Sequence, residues 1–497
     1  MGEVTALDLP LGGKKVGHYS LGRANSPAPT GDAMMGASRV PVDPAWLTAT
    51  MTALVDKHRV PGAQLAVHRG GVTVAVEVGE QEHGGGIPIT RETAFPTGSI
   101  TKAWTATLAM ILVADGDLEL DAPLDEHLPE LGDLGSQLTL EQLLSHTSGF
   151  ASSPDAPELA SLSLGRYVRE HCRWQDLILP PGARFSYSSR NYVLVGHLIE
   201  MTTGMSWWEA VESILLRPLG VDPAAIVGAP RAPSDRPIAT GHSANSTLGR
   251  TRPVEQSLLP AEAPAGALAM SAVDLVALGQ MHVGPGLPAL LPAAYAERMR
   301  EAVPGADPFG LADGWGPGLA VFRDGTTDWV GHDGNAYGTS CYLRIDPVGG
   351  WVVALTTNAN TGTYLWEELR AELRRAHLPM GAPKSDMSSH VTVAPPADCV
   401  GSYCNGPLEY LITAAEDGAL CLASGGELIA RLAFYGAGMD FVLQDPTSGQ
   451  GLHAGRFLRD PVTKHVEQLQ IVGRLARRHP APIVPEPRSP AASPSCI

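Results

Sequence analysis

Residues 97–116 constrain the fold more than any other stretch: Thr97-Gly98-Ser99-Ile100-Thr101-Lys102-Ala103-Trp104, continuing to Asp115-Gly116. Between Ala103 and Ala114 only Thr105 and Thr107 are polar. A helix apolar on nearly every side belongs in a core, and this one is too short to span a bilayer. Gly116 supplies its stop. The rest of the chain must therefore wrap around it. The first turn carries Ser99 and, three residues on, Lys102. Positions i and i+3 share a helix face, so a hydroxyl and an amine are expected side by side. Desolvation favours the neutral form of an amine, and a neutral amine can take a serine's proton. The helix N-terminus adds positive partial charge where an oxyanion would develop. A plainer reading makes Ser99 the helix cap and Lys102 the counter-ion of a buried carboxylate. Lysine is scarce, however, at positions 14, 15, 57, 102, 384 and 464 only. One inside an apolar run invites a chemical reason.

A chain of 497 residues is expected to hold two or three domains. Its composition, 44% hydrophobic and 18% charged, is that of a globular protein. A net charge of −17 offers no electrostatic basis for binding nucleic acid or an anionic membrane. Residues 1–40 lack an apolar signal region, which predicts a cytoplasmic protein with neither leader nor membrane helix. The six cysteines (172, 341, 399, 404, 421 and 496) form no Cys-x-x-Cys pair. They read as free thiols, with a Cys399–Cys404 bridge as the alternative. No phosphate-binding glycine loop, His-Glu-x-x-His helix or Gly-x-Ser-x-Gly elbow occurs, so neither cofactor nor metal is expected.

Taken in order, residues 1–41 read as a flexible arm. Asp43-Pro44 opens a helix, and residues 64–68 and 72–76 form a hairpin about Arg69-Gly70-Gly71. Thr139 caps a short helix leading to Gly149. Helices are expected over 191–201 and 207–216, the latter packing Trp207 and Trp208 in the core rather than against a substrate. Residues 221–265 read as irregular. Ser271 opens a further helix with a capping box. Strands are expected at 319–323, 327–331, 338–346 and 350–358, then a helix at 363–376. Strands at both ends with helices between them predict an α+β domain over 42–378, its sheet built from both ends. A linker (379–396), a small all-β barrel or sandwich (397–478) and a disordered Pro-rich tail (479–497) complete the chain.

Several stretches in this order resemble the serine beta-lactamase and penicillin-binding-protein superfamily, in its class C and esterase branch. They are Phe95-Pro96-Thr97-Gly98-Ser99-Ile100-Thr101-Lys102, then Leu143-Leu144-Ser145-His146-Thr147-Ser148-Gly149, then Phe185-Ser186-Tyr187-Ser188-Ser189, and Gly331-His332-Asp333-Gly334 on a strand. The resemblance implies a beta-lactamase-like fold, an antiparallel sheet plus helical lobe, followed by a lipocalin-like barrel. It implies Ser99 as nucleophile, Lys102 as its base and Tyr187 as a proton relay. His332 would donate a hydrogen bond to the substrate, beside Gly334. The backbone N–H groups of Ser99 and Asn335 would form the oxyanion hole. The family usually has asparagine where this chain has Ser189, which puts beta-lactam turnover in doubt. His146 reads as structural.

Fold does not decide which acyl transfer follows. The appended barrel resembles the module of D-aminopeptidases and of penicillin-binding-protein-type thioesterases, standalone cyclases of nonribosomal peptides. The first expectation is therefore a thioesterase closing a peptide head to tail, with a peptidyl thioester as substrate and a peptidyl carrier protein as partner. The alternative is a cytoplasmic esterase, amidase or D-aminopeptidase acting on ester or amide substrates. A non-catalytic sensor using the pocket or the barrel is the third reading.

Overall fold

The computed structural model describes residues 42–479 apart from 154–156, 223, 227–235, 246–247, 324–326, 381–392, 437, 445, 447–448 and 450. The expected arm, most of the linker and the tail beyond His479 lie outside the described residues. The described residues make one compact unit, in which the barrel is not set apart from the rest.

The central sheet has seven antiparallel strands in the order 72–79, 62–69, 351–357, 339–346, 328–336, 320–323 and 314–315. Both chain ends do build it: Leu65 pairs with Leu355, and Tyr342 with Leu355 on the other side. Side chains alternate across a strand, and here both faces are covered. Val353 and Leu355 meet the helices Pro44–His58 and Gly362–Arg375, while Val352 and Ala354 meet the helical lobe. That is why residues 351–357 are buried throughout.

The helical lobe packs around Ile100–Asp115, in which every residue from Ile100 to Leu112 is buried. Gly116 ends it in the left-handed conformation (φ 80°) that glycine adopts without penalty. Asp43, Thr139 and Ser271 cap their helices as the sequence suggests, the last two through full capping boxes. Trp207 and Trp208 are buried. Two expectations need correction. The helix after Thr139 stops at Leu144. The segment read as irregular contains a hairpin, Gly241–Asn245 with Arg250–Val254.

Residues 401–478 close into an eight-stranded antiparallel barrel, the small lipocalin-like domain expected. Its interior is an aromatic core of Tyr403, Phe434, Phe441 and Phe457, with ring centroids 5.3–6.0 Å apart. Cys399 and Cys404 are both free, so the alternative bridge is not formed.

Candidate active site

The sequence around Ser99 produces a strand, a tight turn and a helix. Phe95–Pro96 pairs with Ala269–Met270, and Gly98 turns the chain at φ 51°. Ser99 holds the N-cap position of the buried helix, yet its side chain caps no backbone N–H. Lys102 Nζ lies 3.1 Å from Ser99 Oγ and 2.9 Å from the Ala265 carbonyl. The lysine is 1% exposed, and among the described residues it meets no carboxylate. Ser99 is thus the N-cap by position, as the plainer reading has it, but its hydroxyl caps nothing and Lys102 is no counter-ion. The Ser99 hydroxyl is free for chemistry, with an amine at hydrogen-bond distance.

Ser99 opens onto two cavities. The larger, about 330 Å³, is lined by residues that include Ser189, Gln256, Leu258, Glu262 and Tyr337. The smaller, about 180 Å³, is lined by Tyr187, Trp315, His332 and Asp333, with Val472 and Arg474 of the barrel among the rest. Ser99 and Asn335 border both. Ser189 begins the helix Arg190–Thr203, and its hydroxyl makes no capping bond, so it faces the larger cavity unengaged. Gly334 borders neither of these cavities. A Cβ on it would stand 1.9 Å from the Thr97 carbonyl oxygen, so its role is to let the strand approach the Ser99 turn.

Tyr187 is 6% exposed, with Lys102 Nζ 5.1 Å from its ring centroid on one side and the Arg474 guanidinium at 5.3 Å. Its backbone is held by His146. The His146 carbonyl accepts from Ser186 N at 2.9 Å, and His146 Nδ1 accepts from Ser188 N at 3.2 Å and from Asn191 Nδ2 at 3.0 Å. The imidazole lies against the Tyr187 ring, centroids 4.3 Å apart. His146 keeps φ 58°, a costly value for a residue other than glycine, because these contacts over-determine it. Burial, and then Lys102, hold its pKa well below the ordinary imidazole value. His146 is thus a structural neighbour of the site, as read from the sequence.

His332 corrects an expectation. Its Nδ1 lies 2.6 Å from the Asp333 carbonyl, which can only accept, so Nδ1 carries the proton. Burial, and then Lys102, push its pKa down to about 4, leaving a neutral ring at pH 7. Nε2 is buried without a partner. His332 therefore offers a lone pair to the smaller cavity and accepts rather than donates. The Asp333 carboxylate is occupied by Arg344.

Sequence reasoning brought Ser99, Lys102, Tyr187, Ser189, His332 and Asn335 together. It missed Trp315, Val472 and Arg474, and the wall from the segment read as irregular. Nothing in the local sequence marks Arg474, because only the docking of the barrel brings it to Tyr187. Among the described residues no group of His, Cys, Asp and Glu side chains could hold a metal ion, and no helix is long and apolar enough to cross a membrane.

Comparison with known proteins gives the chain's family. The family model described as Beta-lactamase matches residues 47–378. Penicillin-binding protein 4 of Amycolatopsis lactamdurans is 33% identical over 346 residues, covering 67% of this chain and 90% of that protein. Esterase EstB of Burkholderia gladioli is 30% identical, over 64% of this chain and 92% of its own length. Among solved structures, SurE superposes with a TM-score of 0.76 at 39% identity, covering 88% of this chain and 99% of its own. That share is too large to be supplied without the barrel. The chain belongs to the beta-lactamase and penicillin-binding-protein family of serine hydrolases and acyltransferases.

Proposed function

We propose that the chain is a peptide cyclase: Ser99 takes a peptidyl group from a thioester, delivered by a carrier protein, and passes it to the peptide's own terminal amine. The observation that carries this reading is the position of Ser99 between two cavities, the second bordered by the barrel turn. Hydrolysis of an acyl-enzyme needs a place for the acyl chain and access for water. Transfer to an amine needs a second site that holds the nucleophile and limits water. Trp315, Phe322, Leu311 and Val472 give the smaller cavity apolar walls suited to that task.

In the first step Lys102 takes the Ser99 proton as Oγ attacks the thioester carbonyl, and the thiolate leaves with a proton relayed through Tyr187. In the second, the amine attacks the Ser99 ester. The amine loses a proton to the Lys102–Tyr187 pair, and Ser99 Oγ departs as the hydroxyl. The lone pair on His332 Nε2 suits an amine N–H in the waiting position. A hydrolase reading is favoured by the likeness to Esterase EstB and differs only in the fate of the ester.

The test uses a peptidyl thioester with a free N-terminus and a D-residue at the acylating end, a choice supported by the SurE structure solved with D-Leu. Cyclic product is expected to exceed linear acid, and Arg474→Ala to shift the ratio toward acid. Linear acid alone, from peptides of several lengths and end residues, would refute cyclisation and leave the hydrolase.

A further inference from the structure

Among the buried polar side chains by which the barrel reaches the catalytic domain is Asn405, which ends the strand Gly401–Asn405. Its Oδ1 accepts from the Ser152 backbone N–H at 2.6 Å. Its Nδ2 donates to the Leu475 carbonyl at 2.7 Å and to Ser186 Oγ at 3.3 Å. The same hydroxyl accepts from Leu475 N at 3.3 Å, and the adjoining Tyr187 N–H donates to the Gly473 carbonyl at 3.0 Å. The segment Ser186–Ser188 is thus gripped from two sides. His146 holds it within the catalytic domain, and Asn405 with residues 473–475 holds it from the barrel.

From this juxtaposition we infer that Asn405 is a positioning residue for Tyr187, so that a barrel side chain sets the alignment of the phenol at Ser99. Asn405 touches no reacting atom. It acts by fixing the Ser186 hydroxyl, one residue from Tyr187, to the turn that supplies Arg474. An amide is required, because the site asks for one acceptor and two donors in a space closed to water. An apolar replacement leaves the Ser152 N–H and the Leu475 carbonyl without partners. Aspartate preserves shape and the acceptor but turns oxygen toward the Leu475 carbonyl. This inference rests on Ser99 and Tyr187 acting in acyl transfer, and is indifferent to whether the ester is cyclised or hydrolysed.

The experiment measures, on the full chain, the rate of fluorophosphonate labelling at Ser99 and the kcat and KM for a p-nitrophenyl ester. The variants are Asn405→Ala, Asn405→Asp, Ser186→Ala and the double variant Asn405→Ala/Ser186→Ala. Arg456→Ala is the control, since it breaks a barrel contact to Asp307 (2.6 Å) that involves neither Asn405 nor Ser186. Each Asn405 variant is expected to lose on the order of 10- to 100-fold in labelling rate and kcat with KM little changed. Ser186→Ala should fall alike, and the double variant no further, as for residues acting through one contact. Arg456→Ala should keep its kcat even where it lowers Tm. Should Asn405→Ala fail to fold, Ser186→Ala carries the test alone. Wild-type labelling in folded Asn405→Asp and Ser186→Ala, or losses that add in the double variant, would overturn the inference. Linear acid from the wild-type enzyme would instead remove only the cyclase reading.

Discussion

Gly334→Ala tests the geometry of the oxyanion site directly. Gly334 stands between Asp333 and Asn335 on the strand Asp328–Ala336, facing the turn that presents Ser99. A methyl group there would lie 1.9 Å from the Thr97 carbonyl oxygen and 2.9 Å from Ile100 N, where ordinary contact begins near 3.4 Å. Strand and turn must then part by about 1.5 Å. Both obstacles are backbone atoms, so no flexible side chain can yield. Gly98 meets the same strand from the other direction, its own missing Cβ falling 2.2 Å from the Asn335 carbonyl oxygen. The parting separates Ser99 from Asn335, whose N–H groups are expected to share the oxyanion. A misplacement of about 1 Å costs on the order of 10²-fold, and overpacking a core costs about 1–3 kcal/mol. The substitution should lower the acylation rate at least that far while leaving a folded protein. Burst kinetics with a p-nitrophenyl ester, mass spectrometry of the Ser99 adduct and a melting curve read both effects. Wild-type acylation in a folded Gly334→Ala protein would show that the strand retreats freely and that the Ser99–Asn335 spacing does not govern the rate.

Two further predictions follow from the same site. Lys102→Arg should abolish acylation, with a loss on the order of 10³-fold or more, because a guanidinium stays protonated and cannot take the Ser99 proton; near-normal burst amplitude would make Lys102 structural. His332 stays neutral in the folded protein down to about pH 4, whereas an unfolded histidine binds its proton near 6.5. The unfolded state therefore holds more protons in that window, so the contribution of His332 to stability is complete above pH 6.5 and lost as pH falls toward 4. Urea midpoints at pH 7 and 5 should differ less in His332→Gln than in the parent. The comparison cancels groups of opposite sense such as His197, which burial lowers but Glu200 and Glu130 raise on balance. An equal difference in both proteins would mean that His332 is not held neutral.

What the sequence revealed was local and periodic. The helix at Ser99 announced itself because its packing partners surround it, leaving no polar face. The Ser99–Lys102 pairing followed from helical spacing alone, and the 3.1 Å contact agrees with it. The cap at Thr139 and the capping box at Ser271 were legible because they satisfy backbone groups within four residues. The hairpin 241–254 was hidden: its strands include Pro253 and no run of β-branched residues, and they are held by neighbours such as Gly338 and Asn360. The direction of the hydrogen bond at His332 was equally hidden, since a tautomer is chosen by whatever partner folding places at the other nitrogen. Arg474 lies 287 residues from Tyr187 in the numbering, and no pattern within either segment signals their meeting.

That meeting bears on how an amine could reach the Ser99 ester in reactive form. A terminal amine has an ordinary pKa of about 7.7–8.0, so most of it is protonated and unreactive at pH 7. A cavity that stabilised the ammonium would bind the peptide well and slow its attack. The smaller cavity is built in the opposite sense. Its carboxylate, Asp333, is committed to Arg344, and His332 is neutral. Arg474 brings a positive charge that pairs with no carboxylate among the described residues. Like charge and apolar walls both disfavour an ammonium, so an amine acceptor would enter this cavity more readily as the free base. The lone pair of His332 can still accept one of its N–H bonds. Under the cyclase reading proposed above, the barrel's guanidinium would thus favour the unprotonated nucleophile.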